Sequence, residues 1–226
     1  MNELIIYGLT FLAVIITSLA QAFITSTYKK YSEVKNNRGM SGAETARKIL
    51  DDNGLKEVKV LEVSGYLTDH YDPSAKVVRL SSDNYNGKSI AGLSVAAHEC
   101  GHAIQDKENY SFLRIRAALV PFVNFSSYAG YFAIAIGCLT GILGVVKIGI
   151  LLECVILLFQ IVTLPVEIDA SKRALSEVER LNYLSTAEFK NGKTVLIAAA
   201  LTYVASVAST LLQIVRLIFM FRKEEK

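Results

Sequence analysis

The sequence predicts a mainly α-helical membrane protein with about four transmembrane helices and a small α+β unit on the cytoplasmic side. Three observations carry that prediction. Hydrophobic residues make up 52% of the 226 residues and charged ones only 20%, and the mean hydropathy is +0.36, a balance outside the usual range of soluble domains. Apolar runs long enough to cross ~30 Å of hydrocarbon as helices recur along the chain. Between the first and second of them lies a polar stretch with β-branched segments that has the pattern of a small folded unit. No internal repeat or low-complexity tract appears.

Residues 4–24 carry no charge and form the first expected span. A span is favoured over a secretory leader because a basic n-region and a clear small-x-small cleavage site are lacking. Lys29, Lys30, Lys35 and Arg38 follow it, whereas only Glu3 precedes it. The positive-inside rule therefore puts the N-terminus outside and the next loop in the cytoplasm. Ser41 and Glu44 have capping-box spacing for a short helix, which Asp51, Asp52, Asn53 and Gly54 should end. Residues 58–63 and 76–80 are β-branched, and Asp72, Pro73, Ser74 and Ala75 between them have turn chemistry; a hairpin or antiparallel pair is expected. Asn84 to Gly87 breaks the strand pattern, and Ser89 or a neighbour should start a helix running through Gln105.

That helix carries the chemistry. The chain has three histidines; two of them, His98 and His102, form an H-E-x-x-H pattern with Glu99. Four residues apart on a helix, their imidazoles lie on one face and reach a single metal ion, expected to be zinc. Glu99 follows the first ligand directly, so its carboxylate turns toward the open coordination position and is the candidate general base. Ala96, Ala97, Gly101 and Ala103 are small enough to admit a close neighbour. Cys100, two residues after His98, points away from the ligand face and is expected to pack in the core. Cys100, Cys138 and Cys154 form no CxxC pair and no disulfide framework.

Residues 125–146 and 148–164 read as a transmembrane hairpin separated by Lys147 and nearby glycines. Arg114 and Arg116 before it, with Lys172 and Arg173 after it, place both ends in the cytoplasm. Glu153, inside the second of these segments, is expected to be a buried hydrogen-bonding or interface residue. A catalytic zinc with two histidines needs a third protein ligand and an open position. Glu167 is the best candidate, on a helix whose small residues Ala170, Ser171 and Ala174 suit packing against Ala97 and Gly101. Asp169 competes, but faces elsewhere; Ser171, one turn from Glu167, is better placed to support a ligand. His70 has two readings, a metal ligand or transition-state donor on one side and a locally bonded turn residue on the other. With Tyr71 it is also a candidate oxyanion helper. Residues 195–215 form the fourth expected span, although Arg216, Arg222, Lys223 and Lys226 beyond it favour the cytoplasm.

The expected organisation is thus transmembrane helix 1 (1–27), a cytoplasmic catalytic region with the metal helix (28–118), a transmembrane hairpin (119–166), a cytoplasmic helix with the third zinc ligand (167–194), and transmembrane helix 4 with a basic tail (195–226). The chemistry points to zinc-dependent hydrolysis of peptide bonds, with protein or peptide substrates and the lipid bilayer as partners. A net charge of +3, without a basic cluster interleaved with aromatics, gives no reason to expect a nucleic-acid partner. A noncatalytic zinc-stabilised membrane scaffold would share every ligand and differ at Glu99; a lipid-facing hydrolase is a more distant rival.

Five stretches, 39–44, 67–73, 95–105, 164–167 and 198–204, together resemble the YugP-like family of membrane zinc metallopeptidases. They include Gly39 to Glu44, Leu67-Thr68-Asp69-His70-Tyr71-Asp72-Pro73 and the whole of the histidine motif to Gln105, in order over nearly the full chain. The arrangement is also similar to the HtpX-like and CaaX-prenyl-protease membrane gluzincins, where a membrane hairpin separates the histidine motif from a glutamate ligand. The resemblance implies a zincin-like catalytic unit with His98, His102 and Glu167 as zinc ligands and Glu99 as the catalytic residue. Those relatives carry an aspartate four residues after the glutamate ligand, where this chain has Ser171.

Overall fold

Apolar runs propagate as long helices, even through Pro121 and Pro165, and four of them dominate the chain. In the computed structural model, which describes residues 2–221, they are α1 (Asn2–Ser32), α5 (Ser111–Thr140), α6 (Leu143–Arg180) and α7 (Thr186–Phe221). All four are long and apolar enough to cross a membrane. Between α1 and α5 lie α2 (Gly42–Asp52), β1 (Lys59–Val63), β2 (His70–Asp72), β3 (Val77–Ser81), α3 (Ser82–Asn86) and α4 (Ile90–Lys107). The protein is therefore mainly helical with a small three-stranded sheet. The basic residues Arg222, Lys223 and Lys226 lie outside the described residues.

The chain separates into two units. One comprises Met1–Gln21, Arg114–Leu164 and Leu201–Lys226. Its large side chains, among them Leu4, Phe11, Phe122, Phe125 and Leu139, are exposed, as expected of helices solvated by lipid rather than water. The turn between α5 and α6 falls at Gly141, whose φ of 70° suits a residue without a Cβ. The expected break at Lys147 is corrected: Lys147 lies inside α6. A Cβ on Gly137 would stand 2.9 Å from the Val146 nitrogen, so the two helices approach closely where glycine allows it. Val146 also packs with Leu217 and Phe221 of α7. Arg216 of α7 donates to Thr10 of α1, which puts the first part of α1 beside the last part of α7. Among the described residues, the beginning of α1 and the end of α7 thus lie at one end of this unit.

The other unit comprises Ala22–Leu113 and Pro165–Ala200. Ser41 caps α2 as its spacing predicts: its backbone donates to Glu44 Oε2 at 2.8 Å, and its Oγ accepts from the Glu44 nitrogen at 3.2 Å. The sheet order is β1-β3-β2. Here the expected antiparallel pairing of residues 58–63 with 76–80 is overturned, because β1 pairs with β3 in parallel and the intervening β2 pairs with β3 antiparallel. The turn chemistry at Asp72 to Ala75 is real, but it joins β2 to β3. Asp72 Oδ1 accepts from the Ser74 and Ala75 nitrogens at 2.9 and 3.0 Å, and Oδ2 accepts from Arg79. These contacts hold the Asp72 carboxyl below its usual range. Three residues are too few to announce a strand by alternation, which is why β2 is hidden in the sequence.

One apolar core holds this unit together. Ile49 and Leu50 of α2, Val58, Leu80 of β3, and Ile90 and Leu93 of α4 are fully buried within it, each worth roughly 1.5–3 kcal/mol of transfer free energy. Cys100 sits in the same core with Sγ 3.6 Å from the Ala46 carbonyl, and burial raises its thiol pKa well above the ordinary value. Replacing Ser41 with Ala removes the cap of α2 and is expected to cost about 1 kcal/mol. The measurement is a lower thermal unfolding midpoint in detergent with helix content unchanged below the transition.

Candidate metal centre

Small side chains set the geometry of the centre. Ser89 starts α4 by accepting from the Gly92 nitrogen at 2.9 Å, and the helix then runs unbroken through His98, Glu99 and His102. Gly101 faces α6: a Cβ there would lie 2.4 Å from the Ala170 carbonyl oxygen. With Ala97, Ala170 and Ala174 almost fully buried, α4 and α6 approach as near as backbones permit. α6 is continuous through Pro165, so Glu167 stands on the same helix as the third apolar span. The close approach brings its side chain to the histidines.

His98 Nε2 lies 3.2 Å from Glu167 Oε2 and His102 Nε2 lies 3.5 Å from the same oxygen. The two imidazoles are edge-to-face, with centroids 4.8 Å apart and an interplanar angle of 83°. Candidate ligand atoms of all three residues lie within 4.8 Å of one another. Glu167 is buried, at 3% exposure.

Hydrogen bonds stand behind both rings, and behind His102 they fix which nitrogen carries the proton. Gln105 is fully buried, and its Nε2 donates to the Val166 carbonyl and to Asp169 Oδ2, both at 2.8 Å. Neither partner can donate, so the amide orientation is fixed and Oε1 faces His102 Nδ1 at 3.0 Å. That nitrogen must be the donor, leaving a lone pair on Nε2. Asp169 is in turn held by Arg173, whose Nε donates to Oδ2 at 2.6 Å while Nη1 donates to Glu108. Behind the other ring, Ser171 Oγ lies 3.1 Å from His98 Nδ1. The unprotonated His102 Nε2 thus faces the Glu167 carboxylate, two electron-rich groups with His98 Nε2 beside them. They would repel one another, and a divalent cation with nitrogen and oxygen ligands is the group that reconciles them. The donor set therefore fits zinc.

Glu99, 7% exposed, belongs to the same environment. Burial pushes its carboxyl up to about 7; His98 opposes the shift, Glu167 and Asp69 add to it, and the Tyr71 backbone amide favours the charged form. His70 is not brought to the three ligands: its exposed ring faces the Thr68 carbonyl through Nδ1 at 2.8 Å and Arg79 through Nε2. Tyr71 lies nearer, yet its hydroxyl donates to Asp106 Oδ2 at 2.7 Å, an oxygen that Lys76 also holds. Asp169 contributes through Gln105, as a residue facing away from the ligands should. Gln105 itself is the contributor that sequence reasoning passes over. Its only signal is position, three residues after His102 and hence beside it on the helix.

Replacing Gln105 with Leu is expected to lower zinc affinity 10- to 100-fold by releasing the His102 ring. Competitive chelator titration of purified protein reads this, with helix content unchanged.

A family model described as "Putative neutral zinc metallopeptidase" matches residues 6–222. The chain is 44% identical over 213 residues to a Bacillus subtilis (strain 168) protein described as "Putative membrane protease YugP", covering 94% of this chain and 95% of that one. No solved structure matches it. A match over nearly the whole length, together with histidines and a glutamate gathered at one point, leads to the conclusion that this chain belongs to the family described as putative neutral zinc metallopeptidases.

Proposed function

We propose that the protein is a membrane-integral zinc endopeptidase that hydrolyses peptide bonds of membrane or membrane-proximal proteins. His98, His102 and Glu167 are its metal ligands and Glu99 its general base. The observation that carries this reading is the meeting of two imidazole nitrogens and one buried carboxylate oxygen, with a second buried carboxylate next to them in the chain. Bound zinc supplies Lewis acidity, which polarises the scissile carbonyl and lowers the pKa of water.

The chain's own residues do the rest. Glu99 takes the proton of the attacking water and returns it to the leaving nitrogen as the carbon–nitrogen bond breaks. Ser171 and Gln105 keep the imidazole Nε2 lone pairs directed at the cation. A substrate backbone is held along β2, an edge strand of the sheet that reaches α4 through the Tyr71–Asp106 contact, by adding a strand to it. The site faces the cytoplasm, on the evidence of Lys29, Lys30, Lys35 and Arg38 after the first span and of the cations flanking the hairpin.

Glu99→Gln discriminates a peptidase from a scaffold that only binds metal. Zinc content should stay at the wild-type level while cleavage of a fluorogenic peptide or an unfolded membrane protein falls about 10²- to 10⁴-fold. Unchanged cleavage would rule the peptidase mechanism out.

A further inference from the structure

Arg216 lies inside an apolar stretch rather than at its end. Leu217, Ile218, Phe219, Met220 and Phe221 follow it in α7, and Leu4, Ile5 and Ile6 precede its neighbour Thr10 in α1. Arginine at such a depth is costly and marks a binding or transport role by default. Among the described residues its guanidinium is poorly satisfied. Nη1 reaches Thr10 Oγ1 at 3.4 Å, and Nε is buried without an acceptor. Thr10 donates its own proton to the Ile6 carbonyl, so it serves the arginine only as a neutral acceptor.

A cleft of about 230 Å³ opens beside this group, with Thr10, Thr17, Ser209, Gln213 and Arg216 as its polar lining. No residue lining it is acidic. Thr17 donates to the Ala13 carbonyl, and the Gln213 amide makes only a 3.5 Å contact with Ser209. Among the described residues, the cleft thus offers guanidinium and amide donors and no anion.

We propose that the cleft between α1 and α7 binds the phosphate group of a phospholipid, with Arg216 as its charge partner. The planar fork of arginine matches phosphate oxygens in pairs. The volume suits a headgroup and is too small for a helix. At 1.5 Å rise per residue, Arg216 is only about 8 Å inside the described end of α7, within reach of a headgroup met by an extended side chain.

The test is native mass spectrometry of the full-length protein in detergent with phosphatidylglycerol, phosphatidylcholine or diacylglycerol of the same acyl chains. Both phosphate-bearing lipids should be retained and diacylglycerol lost. Arg216→Gln should cut phospholipid retention at least tenfold at unchanged helix content, with Arg216→Lys restoring part of it. Thr10→Val, which removes the neutral acceptor beside the guanidinium without removing charge, should keep phospholipid retention at or above the wild-type level. Retention of diacylglycerol equal to that of the phospholipids, or wild-type phospholipid retention by Arg216→Gln, overturns the proposal. Inorganic phosphate at millimolar concentration should leave the lipid bound; displacement would make this a site for the free anion and overturn the lipid assignment.

Discussion

The close contact of α4 with α6 is the constraint on which the metal centre depends. Gly101 meets the Ala170 backbone where a methyl group would collide, and only at that separation do the His98 and His102 rings reach the Glu167 carboxylate. The small residues around the histidine motif are as necessary as the ligands. A ligand set drawn from elements 69 residues apart gains its geometry from backbone proximity, and the packed core of α2, β3 and α4 keeps it from relaxing.

From that contact follows a hierarchy of hydrogen bonds. Arg173 fixes Asp169, Asp169 and the Val166 carbonyl fix the Gln105 amide, and Gln105 fixes the protonation of His102. Each link removes one choice that a flexible site would have to make on binding a cation, so organisation is present before the ligand arrives. Behind His98 stands the hydroxyl of Ser171, one turn along α6 from Glu167. A neutral hydroxyl withdraws less proton density from the ring than a carboxylate does, so the two histidines are held by neutral groups. The negative charge of the candidate centre then comes from Glu167 and Glu99, both buried.

Much of this was legible in the residues, and the reasons differ from element to element. Long uncharged runs predict the four long helices because length and apolarity are properties of local sequence. The H-E-x-x-H spacing predicts one ligand face because helical periodicity is fixed. Ser41 and Glu44 predict a capping box that is present. The parallel pairing of β1 with β3 escaped because β2 is three residues long and register is decided by partners distant in the chain. The hairpin turn was expected at Lys147 and its neighbouring glycines; a glycine does make it, at Gly141, while Lys147 lies inside α6. Gln105 was invisible as a contributor because a buried amide announces nothing until its three partners, His102, Val166 and Asp169, are known.

Zinc K-edge X-ray absorption on the purified full-length protein tests the central claim most directly. The account predicts a nitrogen and oxygen shell containing two imidazoles at about 2.0–2.1 Å and no sulfur, with one imidazole lost in each of His98→Ala and His102→Ala. A sulfur shell near 2.3 Å, or an unchanged two-imidazole signal after either replacement, would contradict it.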